Sequence, residues 1–179
     1  MRIGIDIDNT IVNTRETVFK CKRKSKFKHN KGYYLFWPKE EQEEFLDQYV
    51  EEIHLNAEVK EDAKEAIDLL HDKGHEIILI TYRSNIRSSS SNANTKKYLK
   101  KHHIYYDDIL FGSFNKGKVC KEHHIDLLID DSLENIESAA KEGIQVLVYP
   151  MTYNKKTKYP RVKDWKEVID YIQRMEKDM

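Results

Sequence analysis

The feature that most constrains the fold is a repeated alternation of short apolar runs with helical patterns. Ile3 to Ile7, Ile77 to Ile80, Leu127 to Ile129 and Val146 to Tyr149 are apolar stretches too short for helices, and they read as strands buried on both faces. Between them Ala63, Ile67 and Leu70 recur at helical spacing ahead of Gly74, and Leu133, Ile136 and Ala140 do so ahead of Gly143. A glycine after each run is a reasonable helix stop. Shorter helices are predicted at Thr95 to His102 and Lys118 to His123, flanking a weaker strand at Asp108 to Phe111, and Trp165, Val168, Ile169 and Ile172 predict a closing helix. Strands and helices in this alternation give an α/β fold, a doubly wound and mostly parallel sheet.

Residues 13–56 break the rhythm by placing two helical patterns, roughly Glu16 to Lys28 and Glu40 to Ile53, before the next strand. We read them as a small helical cap inserted after strand one, with residues 1–12 and 57–179 forming a Rossmann-like core. Ser84 to Asn94 lacks apolar periodicity and reads as a mobile loop. With 179 residues, 39% hydrophobic and 35% charged, the chain carries apolar material for one core and not for a second.

Lys plus Arg and Asp plus Glu both number 31, so no global basic excess points to a nucleic-acid polymer as partner. No stretch approaches the roughly 20 apolar residues of a membrane span, nor is there an apolar signal region, and a cytoplasmic protein is expected. Cys21 and Cys120 lie far apart without a CxxC partner, as expected of free thiols in a reducing compartment.

The chemical signal is strongest at Asp6-Ile7-Asp8-Asn9-Thr10, where two carboxylates leave the end of an apolar strand. Crevices at such strand ends bind ligands, although acidic residues there also serve simply as turn or cap groups. Three further features add to it. Thr81 ends the second strand and offers a hydroxyl and following amides to a phosphate oxygen. A lysine opening a helix would set a cation beside that phosphate, and Lys118 is chosen over Lys116 and Lys121. Asp130-Asp131 follow Leu127-Leu128-Ile129, and like charges so placed call for a metal cation.

The order carboxylate pair, threonine, lysine, acidic pair, running from Ile3 to Asp131, resembles the haloacid dehalogenase superfamily of phosphohydrolases. Within it, IGIDIDNTIVNT, KVCKEHHIDLLIDDSLENI and RVKDWKEVIDYI are similar to bacterial relatives of 5′(3′)-deoxyribonucleotidases. The resemblance implies a magnesium-dependent phosphatase in which Asp6 is the nucleophile and forms an aspartyl-phosphate. Asp8 would be acid and then base, which requires neighbouring charges to raise its pKa. Mg²⁺ would be held by Asp6, the Asp8 backbone carbonyl and Asp130, with Asp131 assisting. Thr81 and Lys118 would share the phosphoryl charge.

The substrate implied is a small phosphorylated molecule, a nucleoside monophosphate, with a sugar phosphate as the alternative. The insertion is shorter than the cap of the animal enzymes, which bears on substrate more than on reaction. Its aromatics, Phe19, Phe27, Tyr33, Tyr34, Phe36 and Trp37, either stack on a base or form a small helical core, the commoner outcome. Lys20 to Lys26 reads as a solvated face. Arg83 and Arg87 are either substrate contacts or surface residues. His102-His103 and His123-His124 lack zinc-ligand spacing. A receiver domain would carry its acidic pair first and its lysine late, an order this chain does not have. A binding protein that has lost catalysis would show tight ligand binding without turnover.

Overall fold

A computed structural model describes residues 1–178. The strands β1 (Arg2–Ile5), β2 (Glu76–Ile80), β3 (Asp108–Leu110), β4 (Leu127–Asp130) and β5 (Gln145–Val148) form one sheet in the order β3-β2-β1-β4-β5, every pairing parallel. Alternate residues of each strand feed opposite faces. Ile3, Ile5, Ile77, Leu79, Leu127 and Ile129 pack with α3 (Ala63–Asp72), α4 (Ser91–Lys101) and α7 (Trp165–Asp178). Ile78, Ile80, Leu128, Val146 and Val148 pack with α5 (Lys116–Glu122) and α6 (Leu133–Lys141). The central strand approaches the second layer closely. A Cβ at Gly4 would lie 2.8 Å from Ile80 Cδ1 and 3.1 Å from Ile125 Cγ2, so a larger residue there would make these side chains shift.

Residues 14–56 fold into α1 (Thr14–Lys24), two short 3₁₀ turns and α2 (Lys39–Asn56). They build their own apolar cluster from Val18, Cys21, Phe27, Trp37, Phe45, Tyr49 and Ile53. Their two ends are pinned side by side. Asn13 N–H donates to the Glu58 carbonyl at 2.8 Å and Lys60 N–H to the Ile11 carbonyl at 2.8 Å. Lys20, Lys24 and Lys26 pair with Glu58, Glu52 and Glu44, so the basic run is a solvated face.

The segment expected as a mobile loop departs from that reading in its second half, because α4 begins at Ser91. The Asn85 side chain accepts from the Asn92 N–H at 2.9 Å, satisfying one of the amides a helix start leaves open. The preceding residues are tied to α2: Arg87 donates to Asp47, and Ser88 and Ser90 to Glu51. The histidine pairs close α4 and α5, with His103 and His124 in the left-handed region. Both cysteines are free and buried. No helix among the described residues is long and apolar enough to cross a membrane.

Candidate active site

Local backbone chemistry puts two carboxylates at one strand end. Asp6 N–H donates to the Ile129 carbonyl at 3.0 Å, which fixes the turn out of β1 beside the end of β4. Asn9 then takes a positive φ of 63°, a conformation asparagine tolerates better than most side chains. The N–H groups of Ile11 and Val12 both return to the Ile7 carbonyl and close the turn.

The β1–β4 register brings Asp130 and Asp131 to Asp6. One oxygen from each of these three buried carboxylates lies within 4.8 Å of the others. Lys116 Nζ sits between two of them, donating to Asp6 and, at 2.7 Å, to Asp130. Asp130 also accepts from Ser132 N–H at 2.8 Å and from the Asn135 amide. Asp131 accepts from the Tyr153 hydroxyl.

The choice of Lys118 is corrected by this geometry. Side chains two residues apart on a helix point roughly 200° apart. Lys116 shares the buried face of α5 with Cys120, while Lys118 is 70% exposed and faces Glu122 one turn on. Gly117 allows the close seating, since a Cβ there would run into the Ser138 carbonyl group of α6. Lys116 has the cavity-facing role instead, with 1% of its side chain exposed. Lys121 pairs with Glu142 at the surface.

The expectation that Asp8 is raised in pKa is also reversed. Burial pushes the Asp8 carboxyl up, but Arg83 outweighs it and holds the group well below the usual carboxylate range. The guanidinium grips Asp8 with Nε at 3.0 Å and Nη2 at 2.7 Å, and Thr14 donates its hydroxyl at 2.5 Å. Arg83 stands two residues beyond Thr81, and only the fold reveals that its partner is Asp8. Thr81 directly follows β2 and is fully buried, its hydroxyl accepting from Arg83 N–H at 3.1 Å. The cavity wall at this point is made by Tyr82, Arg83 and Ser84 and not by Thr81.

The donor set suits a divalent cation. Burial and the charge of Asp130 push the Asp131 carboxyl up to about 7, and burial likewise raises Asp6 despite Lys116. A carboxylate that resists ionisation among others marks negative charge short of compensation, and hard oxygen ligands are what Mg²⁺ or a similar cation takes. The side chain of Asp8 lies outside this group of three, committed to Arg83 and Thr14.

These groups open into a cavity of about 810 Å³ between the sheet end and residues 14–56. The insertion's aromatics divide between roles. Phe27 and Trp37 belong to its internal core, whereas Tyr33, Tyr34 and Phe36 line the cavity beside Leu46, Val50 and Phe114. His54 lines it too, held down to about 4 by burial and by Arg83. Tyr153 and Asn135 had no sequence signal. Tyr153 reaches Asp131 because Asn154 ties its turn to the Asp131 and Tyr149 carbonyls, both at 2.7 Å.

A model of the family described as 5′ nucleotidase, deoxy (Pyrimidine), cytosolic type C protein matches residues 1–177. Among curated proteins, the chain is 29% identical to "Putative nucleotidase YqfW" of Bacillus subtilis (strain 168), covering 96% of this chain and 93% of that protein. A "Putative nucleotidase" of Bacillus cereus is 25% identical over 97% of this chain and 99% of its own length. Among solved structures, a haloacid dehalogenase-like hydrolase from Streptococcus pneumoniae superposes with a TM-score of 0.69 at 17% identity, covering 96% of this chain and 98% of that one.

Proposed function

We propose, from the premise that the chain belongs to the family of 5′ nucleotidase, deoxy (pyrimidine), cytosolic type C proteins, that it is a Mg²⁺-dependent 5′-(deoxy)nucleotidase working through a phosphorylated Asp6. The observation that carries this reading is the buried lysine bridging Asp6 and Asp130 at the foot of an aromatic-lined cavity. An apolar cavity with a few converging polar groups is where a small ligand binds.

On this reading an Asp6 oxygen attacks phosphorus, and the bond to the leaving oxygen breaks. Water then cleaves the acyl phosphate and frees Asp6. Lys116 orients Asp6, opposes the burial that disfavours its charge, and meets the charge that spreads over the phosphoryl oxygens. Asp8 enters ionised under the grip of Arg83, so it relays to the leaving oxygen the proton carried by the substrate's phosphate monoanion. Ionised again after that transfer, it takes a proton from the water that attacks the acyl phosphate. A bound Mg²⁺, held by Asp6 and Asp130 with Asp131 and the Asp8 backbone carbonyl beside them, would neutralise phosphate charge as a Lewis acid. Residues 13–56 serve as the cap, their tyrosines stacking on the nucleobase. Thr81 contributes through the turn it stabilises, its hydroxyl capping the Arg83 amide.

Phosphate release from 5′- and 3′-nucleoside monophosphates and sugar phosphates, with Mg²⁺ and with chelator, tests the reading. Deoxynucleotides are expected to lead the panel and chelation to abolish release. Sugar phosphates in the lead would assign the site to another small phosphomonoester, and release undiminished by chelator would remove the metal.

Arg83→Lys keeps a charge but loses the planar two-point grip. It is expected to lower kcat by about tenfold or more with KM within about threefold, as for a residue that acts through Asp8. An equal loss carried entirely by KM would instead make Arg83 a substrate contact.

A further inference from the structure

We propose that Arg15 is a specificity-determining receptor for a second anionic group on the substrate, so that this site favours phosphomonoesters bearing a further phosphate or carboxylate. The inference rests on the phosphatase reading of the same site.

Four permanently cationic side chains line the main cavity: Arg15, Arg83, Arg87 and Lys116. Three are committed to carboxylates, Arg83 to Asp8, Arg87 to Asp47 and Lys116 to Asp6 and Asp130. Arg15 is not. Among the described residues its guanidinium has no carboxylate within ion-pair distance and donates to no protein acceptor, and instead lies over three rings. Its Cζ is 5.3 Å from the Phe19 centroid, 4.9 Å from Tyr33 and 5.5 Å from Tyr153. Its backbone N–H donates to Asn9 Oδ1 at 2.8 Å, which anchors it to the carboxylate-bearing turn.

Aromatic faces hold a guanidinium by its plane and leave the in-plane N–H fork free. A fork held this way, with no protein carboxylate in ion-pair reach, matches the two oxygens of a phosphate or carboxylate brought by a ligand. Space exists on both sides, because a second cavity of about 220 Å³ beside Asn13, Phe19 and Met151 also borders Arg15.

Its position separates it from the transferred phosphoryl group. Asp6 and Lys116 belong to the sheet end and α5, whereas Arg15 belongs to the helical insertion, and the Tyr153 ring lies between it and Asp131. The fork therefore addresses the part of the substrate that leaves.

The test uses matched pairs that differ only in the second anion. A nucleoside 5′-monophosphate is compared with the 3′,5′-bisphosphate of the same nucleoside, and 2-hydroxyethyl phosphate with phosphoglycolate. Wild type should prefer at least one doubly anionic member by about 10- to 100-fold in kcat/KM, the worth of a charge-assisted bidentate contact. Which pair shows it tells phosphate from carboxylate. Arg15→Gln should erase the preference, and Arg15→Lys should restore part of it. No preference in wild type, or equal losses on both members in Arg15→Gln, overturns the proposal. Calorimetric binding of each pair to Asp6→Asn supplies a readout that needs no turnover. Equal affinities there overturn the receptor role even if phosphatase activity is robust, whereas a difference lost with Arg15→Gln upholds it even if no phosphomonoester is hydrolysed.

Discussion

Lys116→Met is expected to destabilise the chain by about 3–5 kcal/mol without a divalent cation, the usual result of removing one partner from a buried ion pair. Methionine matches the length of the stem but leaves Asp6 and Asp130, both buried, without the ammonium they share. For a chain of this size the loss corresponds to a fall in unfolding midpoint of roughly 6–20 °C. Turnover should fall by about 10²-fold or more, because the variant lacks the cation facing the phosphoryl oxygens. Added Mg²⁺ should return part of the stability by supplying charge to the same carboxylates, though not the turnover. Lys118→Met is the control. Its side chain is solvent-exposed and only 3.7 Å from Glu122, and such surface pairs contribute little. Thermal unfolding by circular dichroism with chelator, run beside phosphate release, separates the two lysines. Equal effects at both positions would mean that the buried pairing is not what stabilises the cluster.

Why the lysine was misread from sequence, while the sheet was not, follows from the range of the interactions involved. Apolar runs such as Ile77 to Ile80 and the helical spacing of Ala63, Ile67 and Leu70 are local patterns, and each forced its element within a residue or two of the observed bounds. The strand-end carboxylates Asp6, Asp130 and Asp131 were legible for the same reason, since a parallel strand order converts three sequence positions into one neighbourhood. Choosing among Lys116, Lys118 and Lys121 needed the rotation of α5 against α6. That rotation is set by Gly117 meeting Ser138, a tertiary contact between two helices that no local spacing pattern encodes. The apolar Cys120, four residues after Lys116, was the available local hint.

Asp8 illustrates a different limit. Its charge state depends on Arg83, 75 residues away, and the sequence gives no means of pairing them. Reading acidic neighbours alone predicts a raised pKa, while the buried guanidinium reverses the sign. The aromatic residues of the insertion show the same dependence on packing. Phe27 and Trp37 stack at 5.9 Å within the core, yet Tyr34, which contacts Phe45 in that core at 6.0 Å, also borders the cavity. On the proposed reading, substrate selection and the stability of residues 14–56 draw on one set of rings, and substitutions there should move both.

Asp6→Asn is expected to lower phosphate release by at least about 10³-fold, since an amide oxygen is a poor nucleophile and no acyl phosphate can form at that position. The change is nearly isosteric, and the amide oxygen can still accept from Lys116, so the cavity should keep its shape and its ligand. Stability should not fall with activity. Asp6 is buried beside Asp130, Asp131 and Asp8, whose charges all oppose its ionisation, and removing one of four crowded carboxylates relieves repulsion that only Lys116 offsets at that position. The variant's unfolding midpoint without divalent cation should therefore equal or exceed that of wild type, a trade of stability for function common at active sites. Residual turnover above about 1% of wild type would show that Asp6 is not the attacking group and would transfer the nucleophile's role to water. A lowered midpoint would instead show that the Asp6–Lys116 pair outweighs the repulsion around it, and the cluster would then owe its stability to pairing within the protein and less to a bound cation.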